Sequence, residues 1–231
     1  MEFRFGEQTG SLPEDAYPDD AAEGTPGGGD FTAKRVFDIV AATLGLIFLA
    51  PLLIVVALLI RLQDGRKALY SQPRWGYRGE PFQCFKLRTM VPDADKKLQA
   101  VLESSAEARL EWDLTQKLTN DPRITPLGKF IRATSIDELP QLLNIIRGDM
   151  SVVGPRPIPL YERPKYGEGF EHYTRVRPGL TGLWQTSGRS NTTYAERIQL
   201  DTRYVQTRTF WGDVWIIVKT LPAVLLSVGA K

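Results

Sequence analysis

The sequence KRVFDIVAATLGLIFLAPLLIVVALLIRL, Lys34 to Leu62, limits how the rest of the chain can be arranged. It holds 22 consecutive residues without a charge, Ile39 to Ile60, enough to cross a bilayer at about 1.5 Å per residue. It is apolar on every side and too long for the buried helix of a soluble domain. Pro51 lies near the midpoint, after Ala50, where a helix breaks or kinks.

Two membrane topologies fit this stretch. A helix that spans the bilayer is one, but the positive-inside rule favours neither orientation because both ends are basic. A segment that enters the membrane, bends at Pro51 and returns to the same face is the other, and it keeps both basic ends on one side. Kinked spanning helices are common, so the residues alone leave both open. The flanking cations are Lys34 and Arg35 before the stretch, and Arg61, Arg66 and Lys67 after it.

Acidic and basic charge are separated along the chain. Residues 1–33 hold eight acids and one arginine, a net charge of −7, so the remaining residues carry +9 in a chain of net charge +2. The sequence PEDAYPDDAAEGTPGGGD is rich in Pro, Gly and acid, which predicts a disordered tail over 1–33. It lacks the basic start and apolar core of a signal peptide. The basic body indicates an anionic partner: nucleic acid, phospholipid or a phosphorylated substrate.

Residue counts restrict the cofactor chemistry. Cys84 and His172 are each the only residue of their type, which excludes a metal site built from several His or Cys ligands. A metal here needs oxygen ligands, which indicates magnesium, manganese or calcium. The chain also has no Walker A sequence, which disfavours a P-loop nucleotidase.

The body is predicted to be α+β, from about Ala68 to Arg208. Residues 68–90, ALYSQPRWGYRGEPFQCFKLRTM, read as two short strands joined by a Gly/Pro-rich turn. Residues 93–118 have helical periodicity, whereas GPRP (154–157) and RPGLTG (177–182) predict tight turns. Residues 210–228 are apolar with two tryptophans, and fit either an interfacial helix or a core helix. The periodic apolar residues of 93–118 are Leu98, Val101, Leu102, Leu110 and Leu114.

Two adjacent acids stand in TSIDELPQLLN, residues 134–144. Ser135 and Glu138 match a capping box. With Ser135 as the N-cap, however, Pro140 falls inside the helix and leaves a carbonyl unpaired. We therefore predict Asp137 as the N-cap, because Pro140 then falls at the third helical position, where no donor is needed.

Basic residues recur beside Gly/Pro turns. Arg156 is the most informative, because two prolines hold its backbone while its guanidinium can grip a phosphate with two hydrogen bonds. A basic set around Asp137 is expected to bind a polyanion and keep that carboxylate ionised and nucleophilic. Asp201 supplies either another acid or a surface charge. The other basic residues of this set are Lys86, Arg88, Arg132 and Arg189.

These segments, in this order, strongly resemble the bacterial sugar transferases, the monotopic polyprenyl-phosphate phosphoglycosyl transferases. The resemblance runs from about Lys34 to the C-terminal helix, and the length is that of an exopolysaccharide-priming member with only the catalytic unit. The family has a re-entrant helix broken at Pro, usually after Ser; here Ala50 precedes Pro51, so that hydroxyl is absent. The matching segments are KRVFD, KLRTM, TSIDELPQLLNIIRGDMSVVGPRP, RPGLTGLWQTSGR and LDTRYV.

The resemblance implies a division into an acidic tail (1–33), a re-entrant membrane helix (34–62) and a catalytic domain (63–231). It implies Asp137 as nucleophile and Glu138 as the Mg²⁺ ligand. Phosphate-handling or active-site roles are implied for Lys86, Arg132, Arg156, Arg189 and Asp201.

The activity implied is transfer of a sugar phosphate from a UDP-sugar to undecaprenyl phosphate, releasing UMP, at the cytoplasmic face of a bacterial inner membrane. Its partners are these two substrates and membrane lipid, with no nucleic acid. Two alternatives remain. Asp93 and Asp95 form a D-x-D pattern, typical of metal-dependent glycosyltransferases that release UDP, although it also fits an acidic helix start. A membrane scaffold without activity would release neither nucleotide.

Overall fold

A computed structural model describes residues 28–115, 118–188 and 192–225. The predicted α+β class is confirmed: helices dominate, and two small sheets pair β1 with β2 and β3 with β4. The helices are α1 (Gly28–Asp64), α2 (Ala94–Ser104), α3 (Ala106–Thr115), α4 (Pro126–Ala133), α5 (Gln141–Arg147), α6 (Arg163–Tyr166), α7 (Gly169–Thr174), α8 (Leu183–Thr186), α9 (Tyr194–Thr207) and α10 (Phe210–Leu225). The strands are β1 (Leu69–Trp75), β2 (Pro81–Leu87), β3 (Ser151–Val153) and β4 (Gly179–Thr181).

Helix α1 is longer than the predicted membrane segment. It is one helix of 37 residues with Pro51 inside it, so the expected break is not seen as an interruption of the helix. Pro51 has no N–H for the Ile47 carbonyl, which allows bending there. Of the predicted tail, residues 28–33 are helical and residues 1–27 lie outside the described residues. Much of α1 is exposed, Phe48 to 84%, as suits a helix with lipid around it rather than a soluble core.

The body packs against α1 from one end to the other. Near its N-terminus, Asp38 accepts a hydrogen bond from the Val152 N–H (3.0 Å). In its first half, Ala42 is buried in a cluster with residues of β2 and α5. Near its C-terminus, Val56 and Ile60 are buried against Leu87 and Ile131. Both ends of α1 therefore touch the same folded domain.

The predicted hairpin is present and carries α5. Strands β1 and β2 are antiparallel, with Tyr70 opposite Lys86. Buried Asn144 of α5 docks on β2: its Oδ1 accepts from the Phe85 N–H (2.9 Å) and its Nδ2 donates to the Gln83 carbonyl (2.7 Å). This docking places Lys86, the next residue of β2, beside the segment that leads into α5.

The helical periodicity of 93–118 becomes two helices. Ser105 has an extended backbone that ends α2, and its Oγ accepts from the Ala108 N–H (3.1 Å) at the start of α3. Leu98 and Leu102 are buried, but Leu110 is 64% exposed, because the break at Ser105 turns α3 away from the face that α2 buries. The side chain of Leu114 lies outside the described residues.

The two predicted tight turns meet each other. Residues 179–181 of RPGLTG form β4, which is parallel to β3, and the GPRP turn follows β3 directly. A Cβ on Gly154 would lie 2.5 Å from the Arg177 carbonyl oxygen, so only glycine allows this approach.

Helix α10 has a buried face and an exposed face. Asp213 and Ile216 are buried, whereas Trp211 and Trp215 are 77% and 59% exposed. Contact with the body explains the first face, and an interfacial position remains a prediction for the second.

Candidate active site

The acid pair lies in a short turn before α5, not at the helix start. Ser135 has a left-handed backbone (φ 57°), residues 136–138 form one 3₁₀ turn, and Pro140 is the N-cap of α5. Asp137 as N-cap is therefore wrong. The capping-box alternative also fails, because the Ser135 side chain makes no cap hydrogen bond and the Glu138 carboxylate is bound to cations.

Glu138 joins the strand, the turn and the GPRP segment. Its Oε1 accepts from Lys86 Nζ (2.7 Å) and from Arg156 Nη2 (2.6 Å), and its Oε2 accepts from Arg156 Nη1 (3.1 Å). Burial acts to raise the pKa of this carboxyl, but the charges and hydrogen bonds of Arg156 and Lys86 outweigh it and hold the pKa well below its usual range. Glu138 is a fixed anion.

Asp137 is held more loosely than its neighbour. Its Oδ2 lies 3.8 Å from Lys86 Nζ, and its side chain is 14% exposed. Burial raises its pKa and the adjacent Glu138 raises it further, while Lys86, Arg156 and Arg132 lower it. The basic set was expected to keep Asp137 ionised; in the structure its dominant effect falls on Glu138, because the shortest hydrogen bonds go there.

The other predicted site residues divide into three groups. Arg132 is near Asp137 but donates to Thr89 Oγ1 (2.8 Å). The described hydrogen bonds of the Arg88 and Asp201 side chains go to partners other than the acid pair, and their predicted phosphate-binding or active-site roles stay predictions. Arg189 lies outside the described residues.

The partners of Arg88 and Asp201 are as follows. Arg88 makes two 2.6 Å hydrogen bonds to Asp64, which ties the end of β2 to the end of α1. Asp201 is buried and accepts from the Tyr166 hydroxyl (2.7 Å). Burial raises the pKa of Asp201 to about 6, against the effects of Arg197 and Tyr166.

Two arginines near the site were missed from the sequence. Arg74 of β1 donates to the Pro157 carbonyl (3.2 Å), and Arg197 of α9 donates to the Arg156 carbonyl (3.4 Å). The one available signal was the spacing of Arg197 four residues before Asp201, which places both on one helix face. Arg74 has no signal in its local pattern.

Asp137 and Glu138 supply carboxylate oxygens, the type of ligand that a divalent cation such as Mg²⁺ takes. Among the described residues there is no group of three or more His, Cys, Asp or Glu that could hold a metal alone. Mg²⁺ does not need one, because it is commonly bound by one or two carboxylates together with substrate phosphates. Glu138 is ionised, and the hydrogen bond to its Oε2, from Arg156 Nη1, is the longest of its three at 3.1 Å. Asp93 and Asp95 are exposed at the start of α2, as for an acidic helix start.

The charge of the site favours an anionic ligand. Lys86, Arg132 and Arg156 together exceed the two acids, and Arg74 adds a fourth cation beside Arg156. A partly exposed carboxylate next to surplus positive charge can attack an electrophile that carries negative charge, such as a phosphoryl group.

Comparison with known proteins gives one consistent family. The family model described as bacterial sugar transferase matches residues 29–227. The exopolysaccharide production protein ExoY of Rhizobium meliloti (strain 1021) is 46% identical over 213 residues, covering 92% of this chain and 93% of the relative.

Two longer relatives have more specific names. The undecaprenyl-phosphate galactose phosphotransferase of Salmonella typhimurium is 45% identical over 85% of this chain and 41% of its own length. The UDP-glucose:undecaprenyl-phosphate glucose-1-phosphate transferase of Caulobacter vibrioides is 42% identical over 85% of this chain and 71% of its own length.

Proposed function

The chain belongs to the bacterial sugar transferase family, and on that premise we propose that it transfers a sugar phosphate from a UDP-sugar to undecaprenyl phosphate. The similarity to an exopolysaccharide production protein over nearly its whole length supports a role in exopolysaccharide or related glycan assembly, and we propose this transfer as its first membrane step. The observation that carries the proposal is the acid pair, in which one carboxylate is fixed by two cations and its neighbour is not.

The proposed reaction has two displacements at one phosphorus. The Asp137 carboxylate attacks the phosphorus that bears the sugar, forming an aspartyl–phosphate bond while the bond to the leaving phosphate breaks and UMP departs. A phosphate oxygen of undecaprenyl phosphate then attacks the same phosphorus. The aspartyl–phosphate bond breaks, the carboxylate is regenerated, and undecaprenyl diphosphosugar is released.

The geometry supports different roles for the two acids. Among the described residues, no hydrogen bond to the Asp137 carboxylate is present, and the nearest cation is Lys86 at 3.8 Å. A carboxylate without tight hydrogen bonds keeps its lone pairs for attack. Glu138 Oε1 accepts from two cations and Oε2 from one at 3.1 Å, so Glu138 is held in place and suits an electrostatic role rather than attack.

Glu138 is the residue we assign to Mg²⁺. When bound with substrate, the ion would neutralise diphosphate charge as it moves towards the leaving group. Lys86 and Arg156 contact the same carboxylate, so their positive charges would lie beside the phosphate oxygens of a diphosphate bound at Glu138. Two cations against one carboxylate leave a net positive charge, which suits a diphosphate.

We also propose a monotopic arrangement with the body at the cytoplasmic face. A spanning helix whose body lies on one side of the bilayer contacts that body at one end only. Here Lys34 and Asp38 at one end, and Val56 and Ile60 at the other, all contact it. Bending at Pro51 allows α1 to enter lipid between these contacts and to keep both basic flanks on the side of the body.

The D-x-D alternative has less support. Asp93 and Asp95 are exposed on α2 without a described cluster of ligands around them, and the acid pair would have no role in it.

Nucleotide release distinguishes the candidate functions. Purified protein in lipid would be incubated with a panel of UDP-sugars, with and without undecaprenyl phosphate, and the nucleotide product identified by chromatography. We expect UMP at steady turnover only when undecaprenyl phosphate is present. Release of UDP would favour the D-x-D activity, and no nucleotide with any sugar would favour the scaffold.

A further inference from the structure

The GPRP turn receives hydrogen bonds on its backbone from two separate elements. Arg74 Nη1, on β1, lies 3.2 Å from the Pro157 carbonyl oxygen. Arg197 Nη2, on α9, lies 3.4 Å from the carbonyl oxygen of Arg156 itself. The turn carries the guanidinium that holds Glu138, so the position of this backbone sets the position of the acid pair.

We propose that Arg74 and Arg197 are positioning residues that clamp the GPRP turn and aim Arg156 at Glu138. What Arg156 is positioned for rests on the proposed function, but the clamp itself does not. Neither arginine needs to contact substrate in this role.

The contacts of Arg74 point to the turn. Its Nη2 donates to Gln72 Oε1 (2.6 Å), so both terminal nitrogens donate to neutral oxygens. Its Nε is buried and has no partner among the described residues. The backbone of β1 also pairs with the chain after the turn, since the Trp75 N–H donates to the Ile158 carbonyl (3.0 Å). Strand β1 and the turn are therefore locked together at Arg74.

The side chain of Arg197 is held by an aromatic ring and two carboxylates. Its guanidinium lies 4.6 Å from the centre of the Trp184 ring. The carboxylates of Glu162 and Asp201 each lie 3.8 Å from one of its other nitrogens. Because its remaining nitrogen reaches the Arg156 carbonyl, Arg197 links Asp201 to the active site. This link gives Asp201 a role although its described hydrogen bond goes to Tyr166 and not to the acid pair.

Arginine suits this task better than lysine does. Its rigid, planar fork can stack on a ring and donate in several directions at once, whereas an ammonium group has neither the plane nor the spread of donors. Gln72 allows a milder test of the clamp. Its Oε1 accepts from Arg74 Nη2, and no described hydrogen bond joins it to the turn.

The clamp predicts faster backbone exchange in the turn when either arginine is lost. Hydrogen exchange of the peptide spanning residues 151–158 would be measured by mass spectrometry in the full-length protein without substrate. Arg74→Gln and Arg197→Gln should both raise exchange there, and Gln72→Ala should raise it less. Arg203→Gln, on the exposed side of α9, is the matched control and should leave it unchanged. Unchanged exchange in both arginine variants would overturn the clamp.

A double-mutant cycle tests whether Arg197 acts through Arg156. Loss of a charged hydrogen bond predicts a fall in kcat/KM of roughly 10- to 100-fold for Arg197→Gln. In an Arg156→Lys background, where the two-bond grip on Glu138 is already lost, the same change should cost less than about threefold. An undiminished effect in that background would overturn the positioning role.

Failure of the proposed function would look different. A wild-type protein that transfers no sugar phosphate would reject that function, and the exchange experiment would then decide the clamp alone.

Discussion

Lys34 faces two buried carboxylates at the N-terminal end of α1. Its Nζ lies 2.6 Å from Asp213 Oδ2 and 3.7 Å from Asp38 Oδ1, and these acids are 3% and 2% exposed. Lys34→Met removes the positive charge, keeps an apolar stem, and leaves two carboxylates together without their cation. Breaking a buried ion pair from one side costs about 3–5 kcal/mol, so we expect a loss of that order in the free energy of unfolding.

Removing one acid instead should be milder. In Asp213→Asn, Lys34 keeps Asp38 as its partner, and the new amide oxygen can still accept from the Tyr204 hydroxyl, which now donates to Asp213 (2.9 Å). We expect a loss of about 1–2 kcal/mol. The double variant should be more stable than Lys34→Met alone, because it leaves one unpaired carboxylate in place of two.

Thermal unfolding in lipid nanodiscs measures this order. For a chain of this size, each kcal/mol lost from the free energy of unfolding lowers Tm by about 2–4 °C. We therefore expect the Tm of Lys34→Met to be lower by about 10 °C and that of Asp213→Asn by about 4 °C. Lys67→Met, an exposed lysine beyond the other end of α1, is the control and should change little. Equal falls in the two single variants, or a double variant less stable than Lys34→Met, would refute the reasoning from unpaired carboxylates.

Three further predictions use other parts of the molecule. Ser11→Cys places a thiol in the tail while Cys84 stays buried; an impermeant reagent should label it only after cells are permeabilised, and labelling of intact cells would mean a spanning helix. Glu138→Gln should lower turnover by about 100-fold or more, without rescue by excess magnesium, and near-normal activity would remove its assigned role. Burial raises the pKa of Asp201 from 3.8 to about 6, so the folded state binds the proton more tightly and stability from this group falls as pH rises across that interval. Asp201→Asn should flatten the dependence of Tm on pH there, and an unchanged slope would contradict the shift.

Patterns that depend on neighbouring residues were predictable. The apolar length of α1 and the strand–turn–strand signal of 68–90 are local, and both appear in the fold. The grouping of Lys86 and Arg156 at the acid pair was predicted from the order of the motifs. Local patterns could not show it, because these residues are 52 and 18 positions from Glu138.

The errors arise where tertiary contacts outweigh local rules. A capping rule assigns Asp137 to the start of the helix. In the structure Lys86 of β2 and Arg156 of the GPRP turn bind the Glu138 carboxylate, and residues 136–138 form a 3₁₀ turn instead. Arg88 shares a motif with Lys86, yet Asp64 from the end of α1 binds it. Arg74 donates to a backbone carbonyl. Every residue has such a carbonyl, so no residue type or spacing in the sequence marks this contact.

The covalent intermediate is the most direct test of the mechanism. Wild-type protein would be incubated with its UDP-sugar and magnesium but without undecaprenyl phosphate, quenched in acid, digested with trypsin and analysed by mass spectrometry. Cleavage after Arg132 and Arg147 yields ATSIDELPQLLNIIR, which holds both acids. We expect this peptide to gain the mass of one phosphosugar, with fragmentation placing it on Asp137, and Asp137→Asn to show neither the adduct nor turnover. Normal turnover in Asp137→Asn, or an adduct on Glu138, would contradict the assignment of Asp137 as the nucleophile.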